Sequence, residues 1–392
     1  MKTNADILII GGGVIGTGIA YTMAKSGRSV ILLEKGEVCQ GAGGATDGII
    51  ALHTKTPGVR LQMGLASAGM FPELLDDLGN RCEYRENCGG VLTCENEDEY
   101  NSVAASIEAE CADGNEVCMI DGGTLRKMEP LCAPHLVGAK YARRTSIINT
   151  FELIFAYQRR AEDLGAQFLP LTEVTGYIKS DSRVTGVHTN RGDFYGNLVV
   201  NCTGAWAGIT SRPLGVNIPI QPRRGQFAIS EPVEPCVHGA FASAFYIAVK
   251  YFPEKMKEMS PLVQRTGNAF GIEQTDSGTM LLTSTRELVG FDKRTTLEGI
   301  EAILRTACRM MPKLREMNFI RTFSGFRPYC EDGNSVLGGV DGLDGYMVCA
   351  GHEGDGISLS PLVNRLFLQK VNGEKGLFDL EMFSPNRFPQ NL

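Results

Sequence analysis

The sequence predicts an α/β fold, in which a parallel-sheet domain with a β-meander is joined to an α+β second domain that is rich in strands. Three observations predict it. A buried strand, a glycine turn, a helix and a second strand follow one another within residues 6–34. Three short strands separated by turn residues lie between residues 174 and 201. After Pro213, the composition shifts towards strands and irregular loops.

The first of these segments has the pattern of a βαβ unit. The apolar run at residues 7–10 is typical of a parallel strand that is buried on both faces. A helix is predicted from residue 13 to about residue 26, and Gly27 stands where a helix commonly ends. The apolar strand Val30–Leu33 follows. Together these elements predict a Rossmann-like domain.

The turn of this unit has the spacing of a dinucleotide-binding loop. Gly11, Gly13 and Gly16 fit the pattern G-x-G-x-x-G, and Glu34 ends the second strand. In such a loop the glycines permit a tight turn, close approach of a pyrophosphate, and close packing of helix on strand. The acidic residue is placed to bind a ribose hydroxyl. The alternative is a glycine-rich turn that binds nothing, which the position of Glu34 disfavours.

Composition restricts the classes of partner. The chain has 392 residues, enough for two domains, and a net charge of −7, which argues against nucleic acid or an anionic membrane surface. No apolar run approaches the roughly 20 residues of a membrane span. The start of the chain lacks the pattern of a signal peptide. The twelve cysteines form no C-x-x-C pair, so we expect reduced thiols, no metal site and a cytoplasmic location.

Two segments follow the βαβ unit. The loop at residues 41–48 is too rich in glycine for a regular element, and its small residues would allow close approach of the same cofactor's phosphates. The open alternative is a mobile loop. Apolar spacing predicts one helix over residues 58–80. Residues 81–144 have weaker patterns. They predict an exposed helix over 95–110, and a short strand and a helix within 119–130.

The residues in the middle of the chain are predicted to add further strands to the first sheet. A helix is predicted over residues 151–164 and a strand starting at 167, and the meander follows over 174–201. This last strand leads into Thr203, Gly204 and Trp206, which places bare backbone at the carboxyl edge of a sheet, where cofactors bind in open α/β folds. A single tryptophan in such a turn more often packs than catalyses.

The last third holds the second domain and another glycine loop. Strands are predicted at 219–230 and 278–283, and a helix over 296–311. Near the C-terminus, an apolar strand at 346–349 leads through a glycine loop to a helix over about 358–370. The N-terminus of a helix after such a loop is suited to stabilising negative charge.

Four separated segments, at residues 6–34, 41–50, 199–206 and 325–361, together resemble the D-amino-acid-oxidase-type (DAO) FAD-dependent amine oxidoreductases. That family includes glycine oxidase, sarcosine oxidase and dehydrogenase, and the catalytic subunits of bacterial proline, hydroxyproline and opine dehydrogenases. The resemblance implies a discontinuous FAD-binding domain of residues 1–85, 145–210 and 321–392. Residues 86–144 and 211–320 would form the substrate-binding domain.

The resemblance also implies which residues hold the cofactor, without a covalent bond. Arg327 would bind the substrate carboxylate, for which a guanidinium fork is suited. His352 would lie near the flavin, with a catalytic or a packing role. The residues implied to bind FAD are Gly11, Gly13, Val14, Ile15, Gly16, Glu34, Lys35, Ala42, Gly43, Gly44, Gly48, Ile49, Ile50, Val174, Thr203, Gly204, Trp206, Gly325, Arg327, Gly354, Asp355, Gly356 and Ile357.

The chain departs from the family pattern at two places. Gly43 and Gly44 stand where relatives often carry hydroxyl side chains, and Glu353 and Gly354 stand where glycine oxidases carry bulky and basic ones. The second departure places a second contact to the substrate carboxylate in doubt.

The function implied is oxidation of an amino acid or N-substituted amino acid, with hydride passing from the carbon next to nitrogen to flavin N5 to give an imine. We expect a dehydrogenase subunit that passes electrons to a partner bearing an iron–sulfur cluster or a second flavin, and an oligomer. The substrate, its stereochemistry and the choice between oxidase and dehydrogenase stay open.

Three alternatives share parts of this pattern. An NAD-dependent dehydrogenase would share the first βαβ unit, but that class does not explain the segments at 199–206 and 325–361. A flavoprotein that modifies tRNA is disfavoured by the acidic net charge. A non-catalytic subunit would keep the fold, and it would bind flavin that no substrate reduces.

Overall fold

The computed structural model describes residues 2–251, 257, 259–283 and 285–390. Within these ranges it contains eighteen strands, numbered here in chain order. The strands are β1 (Asn4–Ile10), β2 (Val30–Leu33), β3 (Ile49–Ile50), β4 (Gly90–Cys94), β5 (Val117–Asp121), β6 (Gly138–Ala142), β7 (Ser146–Ile147), β8 (Gln167–Leu169), β9 (Val174–Ser180), β10 (Arg183–Thr189), β11 (Gly192–Asn201), β12 (Ile220–Ser230), β13 (Ala240–Ser243), β14 (Gly271–Gln274), β15 (Met280–Thr283), β16 (Phe319–Cys330), β17 (Val336–Val340) and β18 (Leu343–Ala350).

The same residues form twelve α-helices. These are α1 (Val14–Lys25), α2 (Val59–Ala68), α3 (Phe71–Leu78), α4 (Glu97–Ala104), α5 (Ile107–Ala112), α6 (Gly122–Met128), α7 (Thr150–Asp163), α8 (Ala207–Ser211), α9 (Ala244–Tyr251), α10 (Pro261–Thr266), α11 (Leu297–Met310) and α12 (Gly356–Val371). No helix of the described ranges combines the length and the apolar character that a bilayer crossing needs.

The first sheet is built around β1. Strand β1 pairs in parallel with β2 on one side and with β11 on the other. Strand β8 extends the sheet beyond β2, and β18 pairs in parallel with β11. The meander β9–β10–β11 is antiparallel, as expected. Because β1, β2, β11 and β18 run in the same direction, their carboxyl ends lie at one edge of the sheet, which confirms the predicted parallel sheet.

The apolar run of β1 is continuous because both faces of the sheet are covered. Ile7 and Ile9 lie in a core with residues of α1, α7 and α12. Leu8 and Ile10, which point the other way, lie in a second core with residues of the meander. Burial on both faces favours a strand without polar alternation.

The second sheet has the strand order β16–β12–β15–β14–β13–β4–β6–β5. Its longest pairing joins β12 to β16, with Arg223 directly opposite Arg327. Helix α11 buries Ile303 and Ala307 in the core of this sheet. The domain boundary between residues 320 and 321 stays a prediction, and β16 runs across that position.

Two predicted helices are each divided in the structure. The segment 58–80 forms α2 and α3, because Pro72 in the first turn of α3 has no N–H to continue the helix before it. The segment 95–110 forms α4 and α5, where Ser106 donates a hydrogen bond to the Glu110 carboxylate at the break (2.8 Å). The single-helix prediction was wrong at both places.

Candidate active site

A cavity of about 490 Å³ runs along the carboxyl edge of the first sheet towards β12 and β16. Residues of all four segments that suggested the family line it. Eighteen of the predicted site residues are among them: Gly11, Gly13, Val14, Ile15, Glu34, Lys35, Ala42, Gly43, Val174, Thr203, Gly204, Trp206, Gly325, Arg327, His352, Gly354, Gly356 and Ile357. The remaining six, Gly16, Gly44, Gly48, Ile49, Ile50 and Asp355, are not part of its lining.

The three glycines of the first turn meet different surroundings. A Cβ on Gly11 would lie 2.6 Å from the carbonyl oxygen of Cys202, and one on Gly16 would lie 1.9 Å from the oxygen of Gly11. A Cβ on Gly13 would meet nothing within 4 Å. Gly13 therefore leaves space in the cavity at the N-terminus of α1, where backbone N–H groups favour an anion. This space fits the pyrophosphate of a dinucleotide.

Glu34 and Lys35 border the next part of the cavity. The Glu34 carboxylate accepts hydrogen bonds from the backbone N–H groups of Gly12 (2.7 Å) and Gly36 (2.8 Å). The Lys35 ammonium lies 4.1 Å from the centre of the Trp206 ring, which stacks on Phe291 at 5.0 Å between ring centres. Glu34 thus connects two loops of the site, and its contact with a ribose stays a prediction.

Four of the six predicted residues outside the lining lie in the loop before β3 or in β3 itself. A Cβ on Gly44 would lie 2.0 Å from the oxygen of Cys39, and one on Gly48 would lie 1.9 Å from the oxygen of Ile148. Ile49 and Ile50 form β3, which pairs with β7. Glycine at positions 44 and 48 is therefore explained by close backbone packing, and contact of these residues with the cofactor stays a prediction.

Arg327 projects from β16 above a glycine. Its Nη1 donates a hydrogen bond to the carbonyl oxygen of Thr285 (2.9 Å), and a Cβ on Gly225 would lie 2.3 Å from that nitrogen. Burial and the neighbouring charge of Arg286 lower the pKa of Arg327 to about 10. The guanidinium is therefore still a cation at neutral pH, in a position to bind an anion in the cavity.

His352 is buried and lines the same cavity as Arg327. Its Nε2 has no hydrogen-bond partner among the described residues. Burial lowers the pKa of His352 to about 4, so that the ring is neutral at neutral pH. A neutral ring donates one hydrogen bond and accepts another, but it cannot supply a positive charge. The catalytic role of His352 stays a prediction, with packing as its alternative.

Charged residues from several elements lie around Arg327 and the start of α12. We call them, with Arg327, the charged cluster: Lys55, Arg223, Lys250, Arg286, Arg327, Glu353 and Asp355. Its ion pairs join Lys55 to Asp355 (2.6 Å), Lys250 to Asp355 (3.2 Å) and Arg223 to Glu353 (3.5 Å). Sequence reasoning missed Lys55, Arg223, Lys250 and Arg286, because no spacing connects residues that come from separate elements.

The acids of the charged cluster are ionised. Burial would raise the pKa of Glu353, but the charges of Lys250, Arg286 and Arg223 outweigh burial and hold that pKa at about 2. The pKa of Asp355 is likewise lowered against burial, by Lys250 and Lys55. Neither carboxylate can serve as a proton donor near neutral pH.

Buried Glu273 and half-buried Asp47 form a separate acid pair. The Glu273 Oε1 accepts a hydrogen bond from the backbone N–H of Gly48 (2.9 Å), and its Oε2 has no partner among the described residues. Burial, together with the nearby charge of Asp47, raises the pKa of Glu273 to about 8. Glu273 therefore carries a proton at neutral pH.

The raised pKa of Glu273 predicts a specific pH dependence of stability. Below an ordinary carboxyl pKa of 4.5, Glu273 is protonated in both the folded and the unfolded chain. From there to about pH 8 only the folded chain keeps the proton, so the free energy of unfolding falls by about 1.4 kcal/mol per pH unit. Glu273→Gln has no such proton. We expect the stability of this variant, relative to the wild type, to rise between pH 5 and pH 8.

Urea unfolding at four pH values in that interval measures this effect. Exposed Glu108, replaced by glutamine, is the matched control and should follow the wild type at every pH. A difference between Glu273→Gln and wild type that does not change with pH would contradict the assignment of the proton.

Comparison with known proteins agrees with this geometry. Residues 6–369 match the model of the DAO family, described as FAD dependent oxidoreductase. The chain is 29% identical to a glycine oxidase of Geobacillus kaustophilus, over 99% of the chain and 98% of that relative. It is 27% identical to the hydrogen cyanide synthase subunit HcnC of Pseudomonas aeruginosa, over 99% of the chain and 97% of that relative.

Solved structures share the fold. The crystal structure of glycine oxidase from Geobacillus kaustophilus matches with a TM-score of 0.87 and 26% identity, over 99% of this chain and 100% of that one. The L-proline dehydrogenase from P. horikoshii matches with a TM-score of 0.88 and 22% identity, over 99% and 98% of the two chains. The family match identifies FAD, rather than a nicotinamide dinucleotide, as the cofactor. Since that match spans nearly the whole chain, the protein belongs to the DAO family of FAD-dependent oxidoreductases.

Proposed function

We propose that this protein oxidises an amino acid or N-substituted amino acid to the corresponding imine. The observation that carries the proposal is the position of Arg327, whose guanidinium lines the same cavity as the Gly13 turn and the start of α12. A cation at that place suits a substrate with a carboxylate. The 29% identity to a glycine oxidase along the full chain supports the same class of substrate.

The cavity offers the cofactor two helix N-termini. The backbone at Gly13 opens α1, and the loop before Gly356 opens α12, a helix of 16 residues. Both ends present N–H groups and a partial positive charge to anionic groups. Bound without a covalent bond, FAD would supply the chemistry of hydride acceptance from the carbon next to the substrate nitrogen.

The residues around the substrate would position it rather than exchange protons with it. Arg327 would hold the carboxylate, which leaves the amine to enter as the free base. His352 is neutral and the acids of the charged cluster are ionised near neutral pH, so none of these groups provides a general acid there. Orientation of the carbon–hydrogen bond would therefore follow from the carboxylate contact.

We further propose that the chain is a dehydrogenase subunit, and that its electrons pass to a partner with an iron–sulfur cluster or a second flavin. This proposal is supported by the sequence resemblance to catalytic subunits of bacterial proline, hydroxyproline and opine dehydrogenases. The cytoplasmic location and the oligomeric state stay predictions.

An anaerobic titration tests the proposed reaction. The FAD-loaded protein would be mixed with glycine, sarcosine, D- and L-proline, hydroxyprolines and opines, and its flavin absorbance recorded. Bleaching by one of these compounds is the expected result. Slow recolouring in air would support a dehydrogenase, and rapid recolouring an oxidase. A flavin that none of them bleaches, with or without an artificial electron acceptor, would overturn amino-acid oxidation.

A further inference from the structure

Arg286 presents unused hydrogen-bond donors close to Arg327, whose pKa its charge lowers. The residue is 6% exposed, and its Nε and Nη1 have no hydrogen-bond partner among the described residues. Its guanidinium stacks on the ring of Tyr246, at 4.3 Å from the ring centre, which leaves the edge of the fork for an acceptor. Buried donors without an acceptor are costly. Such donors therefore point to an acceptor that the described residues do not supply.

Strand geometry places Arg286 on the same face as Arg327. Glu287 pairs with Arg224 through two hydrogen bonds (2.8 and 3.2 Å) and through a backbone bridge between the two residues. Side chains alternate along extended chains, so Arg286 and Arg223 point away from that pair. Arg223 lies directly opposite Arg327 in the ladder, on the face that those two residues share.

The charge of Arg286 also lacks a direct counter-charge. Among the described residues Arg286 makes no ion pair, whereas Arg223 on the same face pairs with Glu353 (3.5 Å). A buried charge without a counter-charge is strongly unfavourable. A substrate whose single carboxylate is held by Arg327 would leave the charge of Arg286 unmatched.

We propose that the substrate is an N-substituted amino acid with a second carboxylate, which the guanidinium of Arg286 binds while Arg327 binds the first. This inference rests on the proposed function and names its substrate class. The class comprises secondary amines with a carboxylate on both substituents of the nitrogen, as in N-(carboxyalkyl) amino acids. Arg286 is a substrate-binding residue in this arrangement.

Two probes that differ only by one carboxylate test the proposal. Sarcosine carries a methyl group on nitrogen, and iminodiacetate carries a carboxymethyl group and has no stereocentre. The measurement uses the FAD-loaded full chain under anaerobic conditions. We expect kcat/KM for flavin bleaching to be at least about 10-fold higher for iminodiacetate than for sarcosine. This factor corresponds to the lower end of the free energy of a hydrogen bond between charged groups. Arg286→Met should lower the ratio of the two values by roughly 10- to 100-fold.

A control and a binding measurement complete the test. Arg321→Met changes an exposed arginine of the same strand as Arg327 and should keep the wild-type ratio. If Arg286→Met does not fold, the wild-type protein is titrated instead with succinate and with butyrate, and the change in its flavin spectrum is recorded. Succinate should bind at least about 10-fold more tightly than butyrate.

The outcomes separate the two proposals. Equal kcat/KM for sarcosine and iminodiacetate, or an unchanged ratio in Arg286→Met, would overturn the dicarboxylate inference and leave amino-acid oxidation standing. Tight succinate binding without bleaching by any amine would support the second anion site while it overturns amine oxidation. Equal affinity for succinate and butyrate would overturn the anion site.

Discussion

Arg327→Ala is expected to raise KM for the amino-acid substrate by about two powers of ten. A hydrogen bond between charged groups is worth about 1.5–3 kcal/mol, and a guanidinium can make two such bonds to one carboxylate. The lost cation lines the cavity, and it also donates a hydrogen bond to the carbonyl oxygen of Thr285. Stopped-flow measurement of anaerobic flavin reduction over a range of substrate concentrations gives KM and the limiting rate separately.

Arg327→Lys separates charge from geometry. Lysine keeps the positive charge but lacks the planar fork, so we expect it to recover only part of the loss. Arg321→Ala, on the exposed part of β16, serves as control and should leave KM unchanged. A KM for Arg327→Ala within twofold of the wild-type value would reject the carboxylate contact and leave Arg327 with a structural role.

Gly13→Ala is expected to weaken FAD binding by about 100-fold without destabilising the apoprotein. The new methyl group would meet no protein atom within 4 Å, so the fold has no reason to change. The same methyl group would occupy the space that the pyrophosphate needs, and the loss of one or two charged hydrogen bonds corresponds to an effect of about this size. Titration of the apoprotein with FAD, followed by flavin fluorescence, measures the affinity.

Gly16→Ala is the informative comparison, because Gly16 lies three residues after Gly13, in the first turn of α1. Its methyl group would lie 1.9 Å from the carbonyl oxygen of Gly11, so we expect loss of thermal stability as well as of FAD affinity. Thermal unfolding of both apoproteins, monitored by circular dichroism, distinguishes the two variants. An affinity of Gly13→Ala for FAD within threefold of wild type would place the pyrophosphate elsewhere.

Local sequence patterns predicted the elements that depend on local chemistry. The strand Val30–Leu33 was predicted with the bounds that the structure has, since an apolar run between Gly27 and Glu34 has few other interpretations. Helix α7 ends within one residue of its predicted end, where Gly165 adopts a φ of +91°. The helices predicted over 58–80 and 95–110 were wrong as single elements, because apolar spacing continues across a break in the backbone.

The sequence by itself determined the βαβ unit, the family and the candidate position of the cofactor. The βαβ unit depends on glycines and apolar residues within about 30 positions of one another, where spacing predicts structure directly. The family and the cofactor position depend on four such local segments, each of which has its own motif. The sequence also identified Arg327 as a candidate substrate-binding residue, because it lies inside the segment at residues 325–361 that carries the resemblance.

Only the tertiary structure decided the charge and hydrogen bonding around Arg327. Arg223 faces Arg327 through the register of β12 on β16, and Arg286 shares their face through the alternation of an extended chain. The acid pair joins Asp47, in the loop that precedes β3, to Glu273 in β14. Contacts between residues that lie far apart in the chain depend on strand register and sheet order, which leave no periodic signal in the sequence.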